Sequence, residues 1–200
     1  MTTPRFVTLT VVVVAIVATA VATAVATAVS TEGSNLAWFG RASGASALDG
    51  ASEQTVMPAV EFKLIDGRRI HSTQLKGQVV LVDFWATSCA ICIAEMPDLQ
   101  RTYQVLKDEG LAVIAVAMPY DRPDHVLNFV ETRQIELPVA LDIDGTLLNA
   151  LGPVPGTPTR VLVSRSGKIV ARLIGPIAAD DLHRALQQEL ARKQSGALTS

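Results

Sequence analysis

Val79-Val80-Leu81-Val82-Asp83-Phe84-Trp85-Ala86-Thr87-Ser88-Cys89-Ala90-Ile91-Cys92 is the stretch that decides the fold. Its first half is a short apolar run rich in β-branched and aromatic residues, the pattern of a buried strand. After Cys92 the apolar residues Ile93, Met96, Leu99, Tyr103 and Leu106 recur at helical spacing. The chain's two cysteines therefore lie together where a strand ends and a helix begins.

That position has chemical consequences. The first N–H groups of a helix lack partners and its N-terminal end carries partial positive charge. A thiolate is favoured there, so Cys89 is expected to ionise below the ~8.5 of a free thiol. Cys92, one turn further in, is expected to be the more buried. Cys89 then attacks a partner disulfide, and Cys92 resolves the mixed disulfide to leave a redox-active Cys89–Cys92 bond. Asp83 and Glu95 are the candidate proton handlers, because a carboxyl buried behind the sulfurs acquires a raised pKa and can take the proton from Cys92. Asp83 has buried neighbours on both sides, and Glu95 shares the helical face of Cys92.

With these residues in view, the sequence resembles the thioredoxin superfamily. Phe84-Trp85-Ala86 followed by Cys89-Ala90-Ile91-Cys92 is similar to its active-site stretch, Pro97 to the proline inside its active-site helix, and Asp83 to the buried acid of thioredoxin. The longer context, through Cys92-Ile93-Ala94-Glu95-Met96-Pro97, resembles the TlpA/ResA-like thiol–disulfide oxidoreductases, which carry a glutamate where Glu95 stands. The resemblance implies an α/β thioredoxin-like fold over residues 58–195, a central mixed sheet flanked by helices with a β-hairpin in front. It also implies that Pro158 is cis and packs beside the cysteines, with Thr157 and Trp85 in the partner-binding surface. A cis bond there turns the Thr157 backbone outward, where it can pair with a bound peptide. The implied activity is reduction of disulfides in partner proteins such as apocytochrome c or copper-site proteins, with a membrane thiol-transfer protein as electron donor and no cofactor. Ser88 stands where an aromatic residue is usual, and Ala90-Ile91 replaces a pair that commonly ends in proline.

The remaining chain fits this plan. Residues Phe6 through Thr31 carry no charge, and as a helix the stretch from Phe6 to Val29 spans about 36 Å, enough to cross a bilayer. Residues 1–30 are thus expected to be a membrane anchor, although Ala26-Thr27-Ala28 would suit cleavage of a signal peptide. Either outcome places the domain on the periplasmic or extracytoplasmic side. Residues 31–57, rich in Ser, Gly and Ala, read as a flexible linker reaching about 30 Å, with Trp38-Phe39 its one apolar spot. A net charge of −2 gives nucleic-acid binding no electrostatic support. Expected elements are a hairpin at 60–72, strands at 79–85, 111–117 and 137–141, helices at 90–109 and 123–132, a second hairpin at 160–171, and a last helix at 179–193.

Two rival chemistries have support in the spelling. Asp142-Ile143-Asp144-Gly145-Thr146 is similar to the first motif of haloacid-dehalogenase-type phosphatases, in which Asp142 and Asp144 would act with Mg²⁺. Only 58 residues follow Asp142, too few for that core, and an Asp-Gly turn capping a helix at 146–151 explains the same letters. Cys89 and Cys92 with Met96 and Met118 would give a soft donor set for copper binding or transfer. Two cysteines are half of a closed zinc site, and no histidine stands at ligand spacing. No resident metal is expected. His71 reads as an exposed strand residue, and His183 lies off the apolar stripe of the last helix.

Overall fold

The computed structural model describes residues 55–192. They run in the order β1 (Glu61–Lys63), β2 (Arg69–His71), β3 (Val79–Trp85), α1 (Ala90–Leu106), β4 (Leu111–Ala117), α2 (Pro123–Thr132), β5 (Val139–Leu141), α3 (Thr146–Leu151), β6 (Thr159–Val163), β7 (Ile169–Ile174) and α4 (Ala179–Ala191). Every residue of β3 is buried, which requires cover on both faces of the sheet. The sheet order is β5-β4-β3-β6-β7. Strands β3, β4 and β5 are parallel, while β6 runs antiparallel to both β3 and β7. This is a thioredoxin-like α/β arrangement, with a mixed sheet between helices.

Alternation along β3 divides the core into two layers. Val79, Leu81 and Trp85 join Met96 and Leu99 of α1, Val126 of α2, and Leu182 and Leu186 of α4. Val80, Val82 and Phe84 join Phe62 and Leu64 of the hairpin and Leu147 and Leu151 of α3. Each fully buried Leu, Val or Phe contributes about 1.5–3 kcal/mol of apolar burial. The β1–β2 hairpin also closes the sheet edge: Leu64 bridges Ala140, and the Ile65 N–H donates to the Val139 carbonyl at 2.9 Å. A covered edge offers no free ladder to another chain.

Several expected boundaries shift. The helix expected to reach Glu109 stops being α at Leu106, and Lys107–Glu109 forms a tighter 3₁₀ turn. Gly110 ends it with a φ of 97°, where an added Cβ would come within 2.7 Å of the Arg165 guanidinium. That guanidinium is held by the Gly77 and Glu109 carbonyls. Strand β7 runs on to Ile174, which pairs with Thr159 of β6, and the register shifts once between Leu162 and Val163. The last linker residues are not free: Val56 bridges Lys168, and the Met57 N–H donates to the Gly167 carbonyl at 2.8 Å. The expected anchor at 1–30 and the linker through residue 54 lie outside the described residues. Among the described residues, no helix is long and apolar enough to cross a membrane.

Candidate active site

β3 delivers the chain to the N-terminus of α1, and the turn between them is fixed at both ends. The Cys89 N–H donates to the Ala86 carbonyl at 3.0 Å. The Asp121 carboxylate, from the loop after β4, accepts from the Thr87 N–H at 2.5 Å and from the Thr87 hydroxyl at 2.6 Å. Cys89 is the N-cap of α1, in extended conformation, and its Sγ accepts from the Cys92 N–H at 3.2 Å. One orphan donor of the first turn therefore points at this sulfur. Cys89 and Cys92 are joined as a disulfide with Cα atoms 5.3 Å apart. Cys92 is only 3% exposed, whereas Cys89 is half-buried and follows the exposed Ser88. Of the two sulfurs, Cys89 is the accessible one.

Behind the sulfurs lies a group of charges under the sheet's helical cover. Strand register places Arg160 of β6 directly opposite Asp83 of β3. Arg160 Nε stands 3.0 Å from Asp83 Oδ1, an ion-pair distance without hydrogen-bond alignment, since both atoms lack an aligned partner. The same guanidinium donates through Nη2 to Glu95 Oε2 at 2.6 Å. The other Glu95 oxygen accepts from the Ile177 N–H at 3.1 Å. Asp83 and Arg160 are 2% and 1% exposed, while the Glu95 side chain keeps 20% of its surface open. Burial pushes the Asp83 carboxyl up to about 6, opposed by the attraction of Arg160 and helped by repulsion from Glu95. Burial outweighs the ion pair here.

The structure brings Cys89, Cys92, Asp83 and Glu95 to one end of the sheet. The Thr157–Pro158 bond is cis, as the resemblance implies, and Gly152–Pro153 is a second cis bond, which no feature of the sequence marks. Pro158 is buried and leads into β6, its carbonyl held by the Gly175 N–H at 2.8 Å, and Thr157 is partly exposed. Trp85 corrects an expectation. Placed by the sequence reading in the partner-binding surface, it has no exposed area and rests against Phe129 with ring centroids 5.2 Å apart. Its place is beneath the site, as packing. Ile91 and Tyr120 provide exposed apolar area instead, at 45% and 62%.

The phosphatase-like spelling is a helix cap. The buried Asp142 carboxylate accepts from the Leu147 and Leu148 N–H groups, each at 2.8 Å, and so caps α3. Asp144 accepts from the Thr146 N–H at 3.1 Å. Met96 lies in the core layer that holds Cys92, Met118 in the other layer, and Cys89 packs against both. A cavity of about 220 Å³ lies beside Met57, Leu75, Val80 and Val163, at the end of β3 remote from the cysteines. No cysteine or carboxylate lines it, so we assign it no part in the thiol chemistry.

A family model described as Redoxin matches residues 51–188. The thiol-disulfide oxidoreductase ResA of Bacillus subtilis (strain 168) is 31% identical over 132 residues, which cover 66% of this chain and 73% of that one. ResA of Bacillus thuringiensis subsp. konkukian is 31% identical over 125 residues, 62% of this chain and 70% of its own. Among solved structures, a thiol:disulfide interchange protein of the thioredoxin family from Chlorobium tepidum TLS superposes with a TM-score of 0.64 at 26% identity. That match covers 69% of this chain and 97% of that one.

Proposed function

The chain belongs to the Redoxin family and is a thiol–disulfide oxidoreductase, and from that premise we propose that it reduces disulfides of partner proteins outside the cytoplasm. The observation that carries the direction is the charge behind the sulfurs. Two carboxylates, Asp83 and Glu95, share one guanidinium, Arg160, and a single N–H faces the sulfur of Cys89. Excess negative charge disfavours a thiolate, and a couple whose reduced form is poorly stabilised gives up its electrons readily.

The reductive cycle uses the residues in sequence. The Cys89 thiolate attacks one sulfur of the partner disulfide, and the other partner sulfur leaves as thiolate. Cys92 then gives its proton to the Asp83 carboxylate and attacks Cys89 Sγ. The mixed disulfide breaks, the second partner sulfur leaves, and the internal disulfide holds the two electrons' worth of oxidation. The partly exposed Thr157 and the apolar Ile91 form the surface against which the partner lies. Recharging is by a thiol donor at the membrane. The uncharged segment from Phe6 supports export and anchoring, and apocytochrome c and copper-site proteins are the partner classes that the resemblance supplies.

The test is a disulfide-bonded peptide of the Cys-x-x-Cys-His haem-attachment type mixed with the reduced protein. Two-electron transfer is expected, and Cys92→Ser should arrest as a mixed disulfide through Cys89. A mixed disulfide through Cys92 in the Cys89→Ser variant, with none through Cys89, would reverse the assigned roles.

A further inference from the structure

Arg160 is the one group of this site that the activity does not require on its face. It is a cation with 2% of its side chain exposed, in a strand whose other residues, Thr159, Val161, Leu162 and Val163, are all buried too. Burying an arginine is costly unless fixed partners compensate it. Its partners come from two different elements, Asp83 from the central strand and Glu95 from the helix that carries both cysteines. Glu95 stands one turn after Cys92. The guanidinium therefore ties the helix bearing the resolving sulfur to the strand bearing the buried acid.

We propose that Arg160 is a positioning residue for the resolving half of the reaction: by bridging Asp83 and Glu95 it keeps the Asp83 carboxylate ionised and in place to accept the Cys92 proton. The proposal rests on the oxidoreductase reading above and adds to it a residue that does not touch the reacting sulfurs. Two carboxylates meeting in an enclosed site repel each other, and one of them takes up a proton when no cation stands between them. With Arg160 present, Asp83 titrates near 6, so at pH 7 it is mostly carboxylate and can act as a base. Without Arg160 its attraction is lost while burial and the repulsion of Glu95 persist, both of which act to protonate Asp83.

The charged groups that face Arg160 are few. β3 contributes Asp83, and α1 contributes Glu95, with Asp98 at the margin of a cavity of about 10 Å³ that Arg160 also lines. α4 brings Leu182 to that cavity, and β7 places Leu173 opposite Arg160 in register. Arginine suits this place better than lysine, because its planar fork serves two carboxylates at once and a lysine ammonium is a point charge. The proton moves in one balanced step: the Cys92 S–H bond breaks, the proton passes to an Asp83 oxygen, and the electron pair left on sulfur forms the Cys92–Cys89 bond as the partner thiolate departs.

The test separates the two halves of the reaction. A mixed disulfide of Cys89 with a small aromatic thiol such as thionitrobenzoate is formed on the protein, and release of the coloured thiol by Cys92 is followed from pH 5 to 9. Arg160→Gln should slow release at least tenfold at pH 7, with the rate recovering as pH rises and the midpoint moved upward by about one unit or more. Arg160→Lys should fall between the two and shows that the site tolerates a change there. Capture of the aromatic disulfide by Cys89 in the Cys92→Ser background should be unaltered by Arg160→Gln. A loss in Arg160→Gln and Arg160→Lys that is equal at every pH would mean a structural role and overturn the proposal, as would an unchanged midpoint. Failure of the parent protein to release the thiol at all would overturn the oxidoreductase reading itself.

Discussion

Asp83→Asn should make the oxidised protein more stable at pH 8 while slowing its chemistry. The Asp83 carboxyl titrates at about 6 in the folded chain against an ordinary value of 3.8. Between those two values the folded state holds a proton that the unfolded state has released, so stability falls as pH rises through the window. At about 1.4 kcal/mol per pH unit, the gap corresponds to about 3 kcal/mol of stability, present in full below pH 4 and lost above pH 7. Asparagine keeps the shape of the neutral acid and does not ionise. The variant should therefore match the parent near pH 4 and exceed it by up to about 3 kcal/mol at pH 8. Urea unfolding of the oxidised parent and variant at intervals from pH 4 to 8 measures this directly. A difference that does not vary with pH, or a parent that gains on the variant as pH rises, would refute the reasoning. The gain in stability comes at the proton acceptor of the cycle, an instance of function retained against stability.

Two further substitutions separate scaffold from site. Asp142→Ala removes the carboxylate that accepts from the Leu147 and Leu148 N–H groups; it should cost about 2 kcal/mol in urea unfolding and leave the release of thionitrobenzoate at its parental rate. Thr87→Val removes the hydroxyl that donates to Asp121; it should cost about 1–2 kcal/mol and slow attack by Cys89, because the turn that presents the sulfur loses one of its two ties. Stopped-flow capture of an aromatic disulfide reports the second effect, and a rate equal to the parent's would show that the Thr87 N–H alone holds the turn.

Much of the fold and half of the site could be read from local pattern. The apolar run from Val79 to Trp85 set against the helical spacing after Cys92 was enough to place the cysteines at a strand–helix junction. The Asp-Gly spelling at 142–145 marks the helix cap that the Asp142 carboxylate makes. Arg160 escaped because nothing local marks it. In Thr159-Arg160-Val161-Leu162-Val163 an isolated arginine reads as the solvent-facing residue of an alternating strand. Its burial follows only once β6 is laid antiparallel to β3 in the register that puts it opposite Asp83. An arginine in an otherwise apolar strand, in a chain with one inward aspartate lacking a cation, was the signal available. Trp85 misled in the opposite sense, because aromatic residues beside a reactive cysteine suggest contact with a partner. Only the packing of α2, through Phe129, reveals that the ring is enclosed. The tie between Thr87 and Asp121 spans 34 positions and depends on two loops meeting at the sheet's end, which no periodicity reports.

The central claim is that Cys89 and Cys92 form a reducing two-electron couple, and the measurement that tests it most directly is the reduction potential of the protein equilibrated in dithiothreitol or glutathione buffers. The account predicts a single two-electron transition near that of thioredoxin, about −270 mV. A transition near about −120 mV, the range of a strong oxidant, would contradict the direction assigned here, and the absence of any defined two-electron equilibrium would contradict the redox function altogether.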